Sequence, residues 1–338
     1  MPIDSQLIED LARSIGFSDC GIARAERLGE EEYPLDEWLE AGCQADMHYM
    51  ERNAEMRRDP RLLVEGAQTV ISLVLAYKPD SQMQASAKIA QYAYGEDYHT
   101  RIKRMMFSLM AAIKEHCPDF EGRPFVDTAP ISDRHWAVRA GLGWIGRNTL
   151  FVHPRYGSYC FLGEIVTTSD IDDENQNQNE DQNENENGGS RSSLSAFRSP
   201  LSALCFPFSA FRFPLSGCAD CHLCVEACPN HAITTSAVGV PMLDARRCTS
   251  YNTIENRADT LPESLDTKGY AFGCDICQSV CPYNRQAPAV WHLDEQRRAE
   301  LESLADADEA TFRRLTKNSA MNRISYRQWQ RNKDFLNR

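Results

Sequence analysis

Two hydrophobic periods alternate along the first half of the chain. Over Gln6–Ile15, the residues Leu7, Ile8, Leu11 and Ile15 recur at helical spacing, which predicts an amphipathic helix. Thr69–Tyr77 is a short, β-branched apolar run that stops at Lys78-Pro79, the pattern of a buried strand. From His99 to His116 the stripe Ile102, Met105, Met106, Leu109 and Ile113 returns to the helical period. Arg123–Asp127 predicts a strand ending in a loop. Ser132 then caps a helix through Ala140, and Gly141, Gly143 and Gly146 break the chain into turns. Tyr159–Thr167 predicts a closing strand. Alternating helices and strands predict an α/β or α+β unit over residues 1–169, a sheet covered by helices. Past residue 286 the pattern is helical, with Glu300–Leu304 and Glu309–Leu315 as candidate helices.

Between these regions the periodicity is lost. Asp170–Glu186 holds eight acids and no base in a run of Asn, Gln, Glu and Asp, which cannot bury apolar surface and is expected to be disordered. Ser195–Leu215 repeats every seven residues with a proline in each unit, excluding a helix or central strand. Three short units are too few for a solenoid. Residues 170–216 therefore read as an insertion between working domains. The formal charge of the 338-residue chain is −13, and it is −5 without the acidic run. At the other end Arg313, Arg314, Lys317, Arg323, Arg327, Arg331, Lys333 and Arg338 face Asp334 alone. Interleaved with Phe312, Tyr326, Trp329 and Phe335, they form either a polyanion footprint or an amphipathic helix with inward aromatics. No basic, apolar leader and no membrane-length apolar run occurs, so the expectation is a cytoplasmic chain with no membrane partner and reduced thiols.

The cysteines change the picture most. Cys218, Cys221, Cys224 and Cys228 read C-x2-C-x2-C-x3-C-P, and Cys274, Cys277 and Cys281 repeat its tail before Pro282. This is the spacing of two-cluster bacterial ferredoxins, in which three close thiolates hold one cluster and the fourth reaches across to the other. The second run lacks its first cysteine, and Cys248 between the runs is the candidate to replace it. One cluster would take Cys218, Cys221, Cys224 and Cys281; the other would take Cys228, Cys248, Cys274 and Cys277. Structural zinc is the weaker reading, because zinc needs neither three cysteines at that spacing nor a following proline. Cys20, Cys43, Cys117, Cys160 and Cys205 are scattered, and burial is the default for each. The resulting expectation is a two-cluster domain over residues 217–286 and a basic helical segment over 287–338.

Several strings beyond the clusters agree in order with one family. Arg57 stands in Glu-Met-Arg-Arg-Asp-Pro-Arg-Leu-Leu, followed by Tyr94-Gly-Glu-Asp-Tyr-His99, Phe125-Val-Asp-Thr-Ala-Pro130 and Ala140-Gly-Leu-Gly-Trp-Ile-Gly-Arg147. Arg246–Glu255, Tyr270–Cys277 and Ser319–Ile324 complete the series. With these motifs the chain, apart from residues 170–216, resembles the epoxyqueuosine reductases, which are related to reductive dehalogenases. The resemblance implies a cobalamin cradled by the first domain and two 4Fe–4S clusters feeding it electrons. It implies removal of the epoxide oxygen of epoxyqueuosine in the anticodon loop of tRNA. It further implies Asp127 as proton donor, Arg57 as a cobalamin contact, and Ser250, Thr253 and Asp275 at the border of the corrin. An unidentified low-potential electron donor and a monomeric state complete the reading.

Protonating a leaving oxygen calls for a carboxylic acid held neutral near pH 7. The residues alone favour a loop cap for Asp127, and the resemblance makes it the expected acid; Asp133 is the rival, at a position where capping is commoner. Asp133-Arg-His135 begins like a histidine motif that ligates cobalt but lacks its closing glycine, so His135 reads as a helix residue. Two other classes remain open, a corrinoid reductase of a small molecule and a ferredoxin-type electron carrier.

Overall fold

The computed structural model describes residues 2–83, 85–127, 129–172, 217–237 and 239–336. The first unit begins with β1 (Ile3–Asp4), α1 (Ser5–Ile15), β2 (Asp19–Arg24) and three short helices, α2 (Leu35–Glu40), α3 (Tyr49–Arg52) and α4 (Ala54–Arg58). It continues through β3 (Thr69–Ala76), β4 (Lys88–Ile89), α5 (Tyr98–His116), β5 (Gly122–Phe125) and α6 (Asp133–Arg139). Three short strands and a long one close it: β6 (Trp144–Ile145), β7 (Phe151–Val152), β8 (Cys160–Thr167) and β9 (Ile171–Asp172).

The main sheet has the order β2-β3-β8-β5, and every neighbouring pair is antiparallel. Strand β3 is buried along nearly its whole length, which explains its unbroken apolar run, since both faces are covered. On one face Ile71, Leu73, Leu75 and Ile165 pack against Ile8 and Ala12 of α1 and Ile102, Met106, Leu109 and Ile113 of α5. The helical stripes read from the sequence are these buried faces. On the other face Val70 and Val166 meet Trp136 of α6, and Val74 and Leu162 meet Ala137. Gly21 on β2 lets α6 approach, because any side chain there would strike the carbonyl oxygen of Ala140. The helix-covered sheet is thus present, in an α+β arrangement.

Asp4 caps α1 and Asp97 caps α5, each accepting a backbone N–H two residues on. The expected Ser132 cap takes another form, for its hydroxyl engages His135 Nδ1 at 2.6 Å. Strand β9 pairs in parallel with β1, and Arg24 binds Asp170 at 2.9 Å. The first unit therefore extends to Asp172, beyond the expected boundary at 169. The rest of the acidic run and the heptapeptide repeat, with Cys205, lie outside the described residues.

The cysteine-bearing unit is built from short helices at Leu223–Ala227, Thr249–Ile254, Ile276–Ser279 and Pro282–Gln286. The strand Tyr270–Phe272 pairs in parallel with β4, stitching the two units together. Lys78 Nζ adds bonds to the carbonyls of Asn284 and Ala287 at 2.8 and 2.6 Å. Helices Glu295–Ser303, Glu309–Thr316 and Tyr326–Leu336 then fold back. Phe312 and Trp329 stack at 5.7 Å and share a core with Phe272 and with Tyr94 of the first unit. The inward-aromatic reading of the basic end is the one this packing supports. Among the described residues, no helix is long and apolar enough to cross a membrane.

Candidate active site and cysteine centres

The acid site forms where β5 ends and α5 begins. Asp127 adopts φ +35°, an uncommon conformation for a residue with a side chain, and its N–H donates to Asp133 Oδ2 at 3.0 Å. Its own carboxylate accepts from Tyr98 Oη at 2.6 Å and faces His99 Nε2 at 3.2 Å. The other imidazole nitrogen, Nδ1, meets Asp97 at 2.8 Å. Tyr98 and His99 lie in the motif Tyr94–His99, but no role was read for them; the signal was their place just after the cap of a helix that starts at the site.

These contacts separate the two aspartates. Burial favours the neutral form of Asp127, yet the hydrogen bonds from His99 and Tyr98 outweigh it and hold the carboxyl below its usual range. Asp133 receives backbone N–H bonds but no side-chain donor, and burial, then the charge of Asp127, push it up to about 7. These contacts give no support to a neutral Asp127, and the carboxyl poised near neutrality is Asp133. His99 loses some proton affinity to burial but gains more from Asp127 and Asp97, so its pKa is raised. The two directions together favour a protonated imidazole beside an ionised carboxylate.

Around the opening, the phenol of Tyr49 feels the charges of Glu255, Arg323, Asp127 and Arg57. Arg57 is buried, and its Nε has no partner among the described residues. Tyr92 lies 6.2 Å from Tyr98 and 6.0 Å from Phe272, two residues before Cys274. An aromatic contact thus links the acid site to the cysteine unit. Ser250 is partly buried at the start of its helix. Thr253 and Asp275 are buried and committed within the protein. The Thr253 hydroxyl donates to Thr249 O and accepts from Gly273 N, and Asp275 accepts from Gln91 N and Gln278 Nε2. His135 lies in α6 against Tyr33, and burial keeps it neutral.

Cys218, Cys221, Cys224 and Cys281 ring one cavity of about 320 Å³, closed by Arg147, Asn148 and Tyr283. Gly146 and Gly217 bring the backbone to its wall, and a side chain at Gly217 would collide with Trp144. Cys228, Cys248, Cys274 and Cys277 form the second group: Cys248 feels Cys228, Cys274 feels both, and Cys277 feels Cys274 and Cys248. Burial, followed by neighbouring thiols, pushes Cys224 up to about 11. Burial, with Cys248 and Asp275 as the nearest acids, pushes Cys274 to about 12. Buried thiols packed together do not ionise on their own account; they suit a cationic centre that draws off their protons. Among the described residues no three ligating side chains converge on a single ion, and a polynuclear cluster is the centre that thiols spread around a cavity fit. Cys20 and Cys43 are buried, while Cys117 and Cys160 are partly so.

Comparison with known proteins bears on both regions. Residues 57–128 match the family described as epoxyqueuosine reductase QueG, DUF1730, and residues 217–284 match a 4Fe-4S double cluster binding domain. The chain is 35% identical to an epoxyqueuosine reductase of Cyclobacterium marinum over 98% of its length and 96% of the relative's. It is likewise 35% identical to the one from Pseudomonas aeruginosa, covering 97% and 83%. Among solved structures, epoxyqueuosine reductase from Streptococcus thermophilus superposes with a TM-score of 0.75 at 27% identity, over 97% of this chain and 79% of that one.

Proposed function

The chain belongs to the epoxyqueuosine reductase family, and from that premise we propose that it removes the epoxide oxygen of epoxyqueuosine in tRNA to give queuosine. A solved reductase of the same fold is described with an epoxyqueuosine-modified tRNA stem loop. The observation that carries the reading is the joining of the Asp127–His99–Asp133 site to the double-cluster unit through Tyr92.

Converting an epoxide to an alkene breaks two C–O bonds, forms a C=C bond and releases water. It consumes two electrons and two protons. Cobalamin, when bound, supplies a centre that holds two electrons, and the two 4Fe–4S clusters deliver them singly. Cys218, Cys221, Cys224 and Cys281 would ligate one cluster, and Cys228, Cys248, Cys274 and Cys277 the other. The unpartnered guanidinium nitrogen of Arg57 suits a polar edge of the corrin, with Ser250 beside it. Thr253 and Asp275 would hold the wall behind rather than touch it, since their side chains are already engaged.

The protein's part is proton management. Asp127 orients toward the substrate oxygen and relays the His99 proton as negative charge develops there. Tyr98 fixes the carboxylate by its 2.6 Å bond. Basic residues gather beside this site: Asp97 N donates to Asn318 O at 2.8 Å, placing Lys317 and Arg314 against the start of α5, which carries Arg101 and Lys103. That junction suits a nucleic-acid backbone and favours tRNA over a small substrate. A low-potential donor and a monomeric state belong to the same proposal.

The test is anaerobic purification, cobalt and iron analysis, and incubation of the reduced protein with tRNA bearing epoxyqueuosine. Queuosine should appear in the nucleoside digest. Iron without cobalt, and no conversion, would leave an electron carrier instead.

A further inference from the structure

The reaction proposed above needs two protons, and the Asp127–His99 couple carries one. A third carboxyl lies under the site. Glu164 projects from the middle of β8 with no exposed surface, and neither of its oxygens has a hydrogen-bond partner among the described residues. Directly opposite it on the same sheet face stand Ser72 of β3 and Phe125 of β5, two residues before Asp127. The Ser72 hydroxyl is buried and unpartnered too. Helix α6 closes this face with Trp136, whose indole Nε1 is a further orphaned donor.

Leaving such groups dry is costly, and a buried polar space with two to four partners is where internal water settles. Among the described residues no cation pairs with Glu164. Burial, and then the charges of Asp133, which opens α6, and of Asp127, hold its carboxyl well above the usual range. The strand beyond Ser72 contributes only Gly21. The other ionisable residues of α6 are engaged elsewhere: Arg134 with the carbonyl of Thr149, His135 with Ser132, and Arg139 with Glu32.

Building on the functional reading above, we propose that Glu164 is the proton reserve of the acid site. A buried carboxylic acid, it passes its proton through water held by Ser72 and Trp136 to Asp133, and so to Asp127 for the second protonation. Its O–H bond breaks as the O–H bond on Asp133 forms, while Asp133 gives up its own proton to Asp127. No electrons move, and solvent returns the proton to Glu164 after product release. Glu164 acts through other groups and is a positioning residue for protons.

The experiment uses holoenzyme and epoxyqueuosine-bearing tRNA in single turnover across pH, with Glu164→Gln and Ser72→Ala. Glu164→Gln should keep its iron, cobalt and tRNA binding, lose about a hundredfold in rate, the low end for an acid catalyst, and shift the alkaline limb of its pH–rate profile down. Ser72→Ala should move the same way by less. Infrared spectra of the resting protein at pH 8 should show a carboxylic C=O band that Glu164→Gln abolishes and Ser72→Ala shifts. Wild-type rate and profile in Glu164→Gln, or no such band, would overturn the proposal. Should Glu164→Gln fail to assemble, Ser72→Ala and the wild-type band decide. Should wild type itself not convert the substrate, the functional reading fails, while the infrared arm still tests the protonated Glu164.

Discussion

At the scale of residues, the site works by setting two aspartates apart. Asp127→Asn should retain both clusters yet slow turnover about a hundredfold to ten-thousandfold, measured with pre-reduced enzyme. It should also lower the pKa of Asp133, whose elevation comes partly from Asp127. The same shift bears on stability. Asp133 is raised from 3.8 to about 7, so the native state keeps a proton that the unfolded chain releases. Stability then falls as pH rises between those values. His99 acts in the same direction: its raised pKa stabilises fully below its unfolded value and is lost as pH climbs through the folded one. Asp127 works oppositely, its contribution being present above 3.8 and lost as pH falls through its depressed pKa. Asp133→Asn should therefore melt higher relative to wild type at pH 8 than at pH 5; equal differences at both would contradict the assignment. Sequence reasoning named both aspartates and expected Asp127 as the neutral acid, because spacing shows which acids are near and not which one receives side-chain hydrogen bonds.

At the scale of elements, the helical stripes of α1 and α5 and the buried run of β3 were legible, since each period matches the face it buries. Strand β2 was missed: Asp19–Arg24 contains Gly21 and only brief apolar alternation, and it earns its place by pairing with β3. The helix Tyr326–Leu336 was recognised only as an alternative to a polyanion footprint, because its buried side is Gln328, Trp329 and Asn332 rather than an aliphatic stripe. The cysteine spacing was the strongest signal, and Cys248→Ala tests its one inferred member. Losing that thiolate should disturb one cluster and spare the other, read by iron content and by EPR of the reduced protein. Two intact clusters would exclude Cys248 as a ligand. For the insertion, replacing residues 173–216 by a short Gly/Ser linker should preserve clusters and activity, since loop length enters stability only logarithmically. Extending the replacement back to Asp170 should cost stability by removing the β1–β9 pairing and the bond to Arg24, visible as a lower melting temperature.

At the scale of the whole molecule, an acidic chain must gather its bases where RNA is to lie. The arginines most suggestive in the sequence are already employed: Arg323 pairs with Glu255 at 2.9 Å, Arg327 with Asp259 at 2.7 Å, and Arg331 binds the carbonyls of Asn256 and Asn252 at 2.9 and 3.0 Å. Arg331 is a fastener, and its loss should lower the melting temperature more than it changes RNA affinity. The exposed Arg101, Lys103, Arg314 and Lys317 form no ion pair among the described residues, unlike Arg104 with Glu96 and Arg313 with Glu309. They flank the Asp97–Asn318 contact, and the exposed ring of Phe107 continues the face of α5 where Lys103 stands. Each phosphate neutralised there should add about 0.7 to the slope of log affinity against log salt for a single-stranded loop. Replacing Arg101, Lys103, Arg314 and Lys317 together by Ala should flatten that slope by roughly two to three units and raise the Michaelis constant for tRNA. Iron content should be untouched, because none of the four lines the cavity ringed by Cys218, Cys221, Cys224 and Cys281. An unchanged slope in that variant, with intact clusters, would exclude this junction as the RNA-binding face.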